Sequence, residues 1–141
     1  MPELKILFIC IGNSCRSPMA EAITRSLAGD RVAALSAGLS PAGFIAAPTV
    51  ETLDQMGHRS DGLFSKGLDA IPVGDVDIVV SLLGSECFHV MPRGGGARHE
   101  SWNIPDPFGE DEAFYLRVAR DLEGRIARLL SQELEGELLG D

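Results

Sequence analysis

Cysteine is scarce in this chain of 141 residues: Cys10, Cys15 and Cys87 are the whole supply. No two of them form the C-x-x-C pairs of a structural zinc site, and three thiols cannot complete the even framework of a small secreted domain. His58, His89 and His99 lack metal-ligand spacing as well, so neither a metal nor another cofactor is expected. Positive charge is short, with 12 Lys and Arg against 21 Asp and Glu and a net charge of -9. The basic residues are scattered and build no stripe, which argues against nucleic acid or an anionic membrane as partner. Long uncharged apolar runs, a leader-like opening and internal repeats are missing too, so the expectation is a soluble cytoplasmic protein with reduced thiols.

What is present alternates between two kinds of pattern. Leu4 to Cys10 is a nearly continuous apolar run, as in a strand buried on both faces. Gly12-Asn13-Ser14 breaks it, and from Pro18 to Leu27 apolar residues recur at helical spacing, with Ser17 as the expected N-cap. A second strand is expected at 32–36, a Gly- and Pro-bearing loop at 38–48, and a helix from Thr49 to Met56 ending at Gly57. Asp77–Leu82 reads as a third strand and Glu100–Ile104 as a weaker fourth, before Pro105-Asp106-Pro107. A final helix is expected over about 111–133, followed by a Glu- and Gly-rich end that frays, with Gly94-Gly95-Gly96 as a loop. The length fits one domain, 1–141, and strands alternating with helices imply a parallel sheet whose strand ends converge on one ligand-binding rim.

The residues Cys10-Ile11-Gly12-Asn13-Ser14-Cys15-Arg16-Ser17 place a cysteine at a strand end and an arginine six positions later, where a helix begins. A loop of that length wraps a tetrahedral oxyanion in backbone N–H groups, and the helix N-terminus adds partial positive charge. Arg16 offers a planar fork for two oxygens. The same field favours the thiolate of Cys10 over the thiol, since helix N-termini and cations depress a free cysteine pKa of about 8.5. In isolation Cys10 would read as a buried strand residue and Arg16 as a surface charge; the combination reads as an anion-binding catalytic loop. A nucleotide-binding Walker loop is excluded, because no lysine follows a second glycine.

Cys10-x5-Arg16-Ser17-Pro18, followed by Met19-Ala20-Glu21, resembles the low-molecular-weight protein tyrosine phosphatases, whose fold is shared with thioredoxin-linked arsenate reductases. The likeness extends to Ser36-Ala37-Gly38, to Ser65-Lys66 and to Asp106-Pro107-Phe108, nearly the whole chain. It implies an α/β fold: a single three-layer domain with a four-stranded parallel sheet in the order 2-1-3-4 and helices on both faces. It also implies that Asp106 is the general acid and later the base, a role worth roughly 10²- to 10⁴-fold. Asn13, Ser17 and Ser36 match residues that support the loop and the nucleophilic sulfur, although turn and capping chemistry would use the same residue types. Phe44 and Phe108 match aromatic walls around a substrate ring, with core packing or loop anchoring as the alternative. Cys15 stands where a second cysteine can pair reversibly with an oxidised nucleophile, or it is a small packing residue.

The expected function is hydrolysis of phosphotyrosine, on a protein or as a small aryl phosphate, through a phosphocysteine. Inorganic phosphate or a similar oxyanion is the expected ligand. The rival is arsenate reduction on the same loop. Reductases similar to this chain carry two cysteines after the third strand, whereas Leu82-Leu83-Gly84-Ser85-Glu86 has none and Cys87 stands alone. Such a reductase would draw on an external thiol or redox partner. A noncatalytic phosphate-binding module is a third reading, opposed by the joint presence of Cys10, Arg16 and Asp106.

Overall fold

The computed structural model describes residues 4–83 and 97–139. Four strands, β1 (Leu4–Cys10), β2 (Val32–Gly38), β3 (Ile78–Ser81) and β4 (Arg98–Ser101), form one sheet in the order β2-β1-β3-β4. Every pairing is parallel. The helices are α1 (Arg16–Ala28), α2 (Ala47–Gln55) and α3 (Glu112–Leu139). Cys87 and Gly94-Gly95-Gly96 lie outside the described residues, as does His89.

The double-sided burial of β1 divides the core. Ile6 and Phe8 face one layer with Met19, Ile23, Leu53, Leu122 and Ile126 from the three α-helices. Leu7 and Ile9, on alternate positions, face a smaller cluster with Val79, Ile71 and Val76. Short 3-10 turns at Leu68–Ala70 and Val73–Asp75 lie on that side of the chain's course.

Three expectations shift. α1 begins at Arg16 with Cys15 in the N-cap position and no side-chain cap. Ser17 is inside the helix and its hydroxyl bonds elsewhere, which leaves the first N–H groups of α1 for a ligand. β4 runs over Arg98–Ser101, not over Glu100–Ile104: its exposed edge residues are polar, while Trp102 and Ile104 turn into the core just beyond the ladder. The chain also stays helical past Gln132, through Leu139, with Leu134 buried in the main core.

Register sets the rim. Cys10 pairs with Gly38 at the C-terminal ends of β1 and β2. A Cβ on Gly38 would lie 2.5 Å from the Ile11 carbonyl oxygen and 2.9 Å from the Asn13 nitrogen, so only glycine lets the loop after β1 lie across β2.

Candidate active site

The loop from Cys10 to Arg16 is held from outside by its carbonyls. Those of Cys10, Ile11 and Gly12 accept from the backbone N–H groups of Leu39, Ser40 and Ala42, at 3.0, 2.9 and 2.8 Å. The Gly12 carbonyl also accepts from Ser65 Oγ, and that of Ser14 accepts from Ala46 N–H and Thr49 Oγ1. Each peptide plane points its N–H opposite to its C=O. Carbonyls turned outward therefore turn the N–H groups of residues 11, 12, 13 and 15 toward the space above Cys10, in line with the uncapped start of α1.

Asn13 makes the tight turn, with φ of +49°, a conformation that asparagine tolerates better than most side chains. Its amide donates to Ser17 Oγ at 2.8 Å and to Ser36 Oγ at 3.0 Å, while its oxygen accepts from the Lys66 backbone N–H at 2.9 Å. Ser17 Oγ lies 2.8 Å from Cys10 Sγ. Asn13 thus bonds both of the other residues assigned to loop support, and one of those touches the sulfur of Cys10, a residue only 2% exposed.

Behind them stands a charged group that pattern reading missed. Glu21 is 3% exposed; it accepts from Ser36 Oγ at 2.5 Å and pairs with Arg25. Lys66 Nζ lies 3.6 Å from Glu21 Oε1 and 3.5 Å from Ser36 Oγ. The signal available was a carboxylate on the apolar stripe of α1, four residues before an arginine. Lys66 falls within the Ser65-Lys66 likeness, but nothing in the sequence ties it to Glu21.

Arg16 leaves the loop toward the opposite wall. One guanidinium nitrogen donates to the Ile104 carbonyl at 3.0 Å and another lies 3.7 Å from Asp106 Oδ2. Asp106 Oδ1 accepts from the Phe108 N–H at 3.1 Å, so the carboxyl is aimed by its own turn while half exposed to solvent. A cleft of about 310 Å³ brings together Cys10, Ile11, Gly12, Ser14, Cys15, Arg16, Phe44, Asp106 and Phe108. Phe44 and Phe108 are 51% and 56% exposed, and their tilted rings stand 6.4 Å apart between centroids. They are neither core nor isolated anchors; they face each other at the cleft mouth.

Cys15 packs beneath the loop with its sulfur 3.5 Å from the buried Tyr115 hydroxyl on α3. Burial, and then the bond to Cys15, push the Tyr115 phenol well above its ordinary pKa, so it keeps its proton. Among the described residues, no group of three His, Cys, Asp or Glu is placed to hold a metal ion, and no helix is long and apolar enough to cross a membrane.

A family model for the low molecular weight phosphotyrosine protein phosphatases matches residues 5–138. The glutaredoxin arsenate reductase of Synechocystis sp. is 27% identical over 130 residues, 91% of this chain and 97% of that protein. The arsenate reductase of Bacillus subtilis is 30% identical over 127 residues, 86% and 91% of the two chains. Among solved structures, the arginine phosphatase of Geobacillus stearothermophilus superposes with a TM-score of 0.83 at 26% identity, covering 97% of this chain and 96% of that one.

Proposed function

Since the chain belongs to the low molecular weight phosphotyrosine protein phosphatase family, we propose that it is a cysteine-dependent oxyanion enzyme whose reaction is the reduction of arsenate by an external thiol. The observation that carries this reading is the cup itself: Cys10 Sγ under a ring of loop N–H groups, with Arg16 and Asp106 on one side. The curated relatives named above, both arsenate reductases, favour arsenate over an ester as the occupant. That reverses the order of preference given by sequence alone.

The loop N–H groups and Arg16 hold three arsenate oxygens. Cys10 thiolate attacks arsenic, Asp106 supplies a proton to the oxygen that leaves as water, and an As–S bond forms. An incoming thiolate then attacks Cys10 Sγ. The As–S bond breaks with its electron pair going to arsenic, so As(V) departs as As(III) arsenite and a mixed disulfide remains on Cys10. A second thiol releases Cys10 and carries away the disulfide, so two thiols are oxidised for one arsenate reduced. Where similar reductases carry two cysteines after the third strand, this chain has Cys87 alone, which leaves an internal relay incomplete and calls for an external donor.

A second reading rests on Phe44 and Phe108, whose facing rings suit an aryl group. In it, Cys10 attacks phosphorus, Asp106 protonates the phenolate, and water cleaves the phosphocysteine. One experiment separates the two: arsenite release from arsenate with glutathione or a glutaredoxin, beside hydrolysis of 4-nitrophenyl phosphate. Thiol-dependent arsenite release that vanishes in Cys10→Ser supports reduction. Efficient ester hydrolysis with no arsenite would overturn it in favour of the phosphatase.

A further inference from the structure

We propose that Lys66 is a positioning residue for Cys10, acting through the buried Glu21–Ser36–Asn13–Ser17 chain; the inference rests on Cys10 being the nucleophile, as proposed above. The directions of the hydrogen bonds carry the argument. Ser36 Oγ donates to Glu21, so toward Asn13 and Lys66 it presents only lone pairs. The Lys66 backbone N–H claims the Asn13 oxygen, which leaves both amide protons of Asn13 for the two serines. Ser17 Oγ therefore accepts from Asn13 and has its own proton for Cys10 Sγ, the arrangement that favours an ionised sulfur.

The head of this chain is a buried carboxylate, which requires compensating charge. Arg25 supplies part of it from a side chain that is substantially exposed. The Lys66 ammonium is the more enclosed partner, its side chain 11% exposed against 42% for Arg25. It donates to the Phe64 carbonyl at 3.1 Å, lies 4.4 Å from the centroid of the Phe64 ring, and faces Ser36 and Glu21. One residue thus fixes the amide of Asn13 by its backbone and the charge of Glu21 by its side chain. The other charged or titratable groups lining the cleft around Cys10 are Arg16 and Asp106, with Cys15 backed by Tyr115; none of them touches Glu21.

The test is the pH profile of Cys10 alkylation by iodoacetamide, located by peptide mass spectrometry, in the wild type, Lys66→Met, and Lys66→Ala with and without propylammonium. Loss of the ammonium removes one positive charge from behind the loop and leaves Glu21 paired with Arg25 alone. Lys66→Met is expected to move the midpoint to more alkaline pH by about one unit, with several-fold slower labelling at neutral pH. Propylammonium is expected to move Lys66→Ala back toward wild type. A midpoint unmoved in Lys66→Met overturns the inference, even if thermal stability falls, because a merely structural lysine would change stability alone. Should Lys66→Met fail to fold, Lys66→Gln gives the same reading. A wild-type Cys10 that labels no faster than a free thiol sinks the nucleophile reading itself, an outcome distinct from an unmoved midpoint.

Discussion

Replacing Cys10 by serine removes the proposed nucleophile from the cleft and is expected to abolish turnover with either arsenate or an aryl phosphate, while oxyanion binding persists. Asp106→Asn keeps the turn bond to Phe108 N–H but has no proton to give, and kcat is expected to fall by roughly 10²- to 10⁴-fold with KM little changed. Steady-state kinetics on both substrates check both statements. Tyr115 makes a prediction about stability rather than rate. Its folded phenol holds its proton more tightly than the unfolded one. Stability is therefore complete below about pH 10, the ordinary phenol value, and falls as pH climbs above it, by at most about 1.4 kcal/mol per pH unit. Denaturant titrations across that range should show the decline in the wild type and a flatter curve in Tyr115→Phe.

At the scale of elements, the terminus of α1 shows how packing and chemistry share one stretch of chain. A serine beside a proline at a helix start reads as a cap, yet Ser17 serves Cys10 and Asn13, and the helix end stays open toward the cleft. That site was legible because its parts are contiguous: a strand end, a turn and a helix start within eight residues. The strand order alone sets the Asp106 loop on the rim beside Cys10, whereas its acid role and the places of Phe44 and Phe108 were reachable only through family likeness. The roles of Glu21 and Lys66 were hidden for a different reason: they lie in a hydrogen bond from Ser36 and an ion pair with Lys66, partners 15 and 45 residues from Glu21 in sequence. β4 was misplaced because an edge strand of Arg98, His99, Glu100 and Ser101 has no apolar signature. The end of α3 was misjudged from its Glu and Gly content, although Leu134 lies on the apolar stripe and is buried. Leu134→Ala is expected to cost about 2–3 kcal/mol in chemical unfolding; a loss near zero would mean that the last turns contribute no packing.

For the whole molecule, the acidic balance and the placement of the cup fit together. A surface of net charge -9 repels free oxyanions at long range, so capture depends on the local field of the loop, Arg16 and the start of α1. The sheet's function is to bring that loop, the carboxyl of Asp106 and two facing phenylalanines to a single rim. The most direct measurement is the rate at which Cys10 and Cys15 are alkylated at neutral pH, with and without millimolar arsenate or phosphate. An ionised sulfur inside an oxyanion cup requires Cys10 to label far faster than Cys15 and to be protected by either anion. Equal, slow labelling of both cysteines, or labelling of Cys10 that neither anion affects, would contradict it.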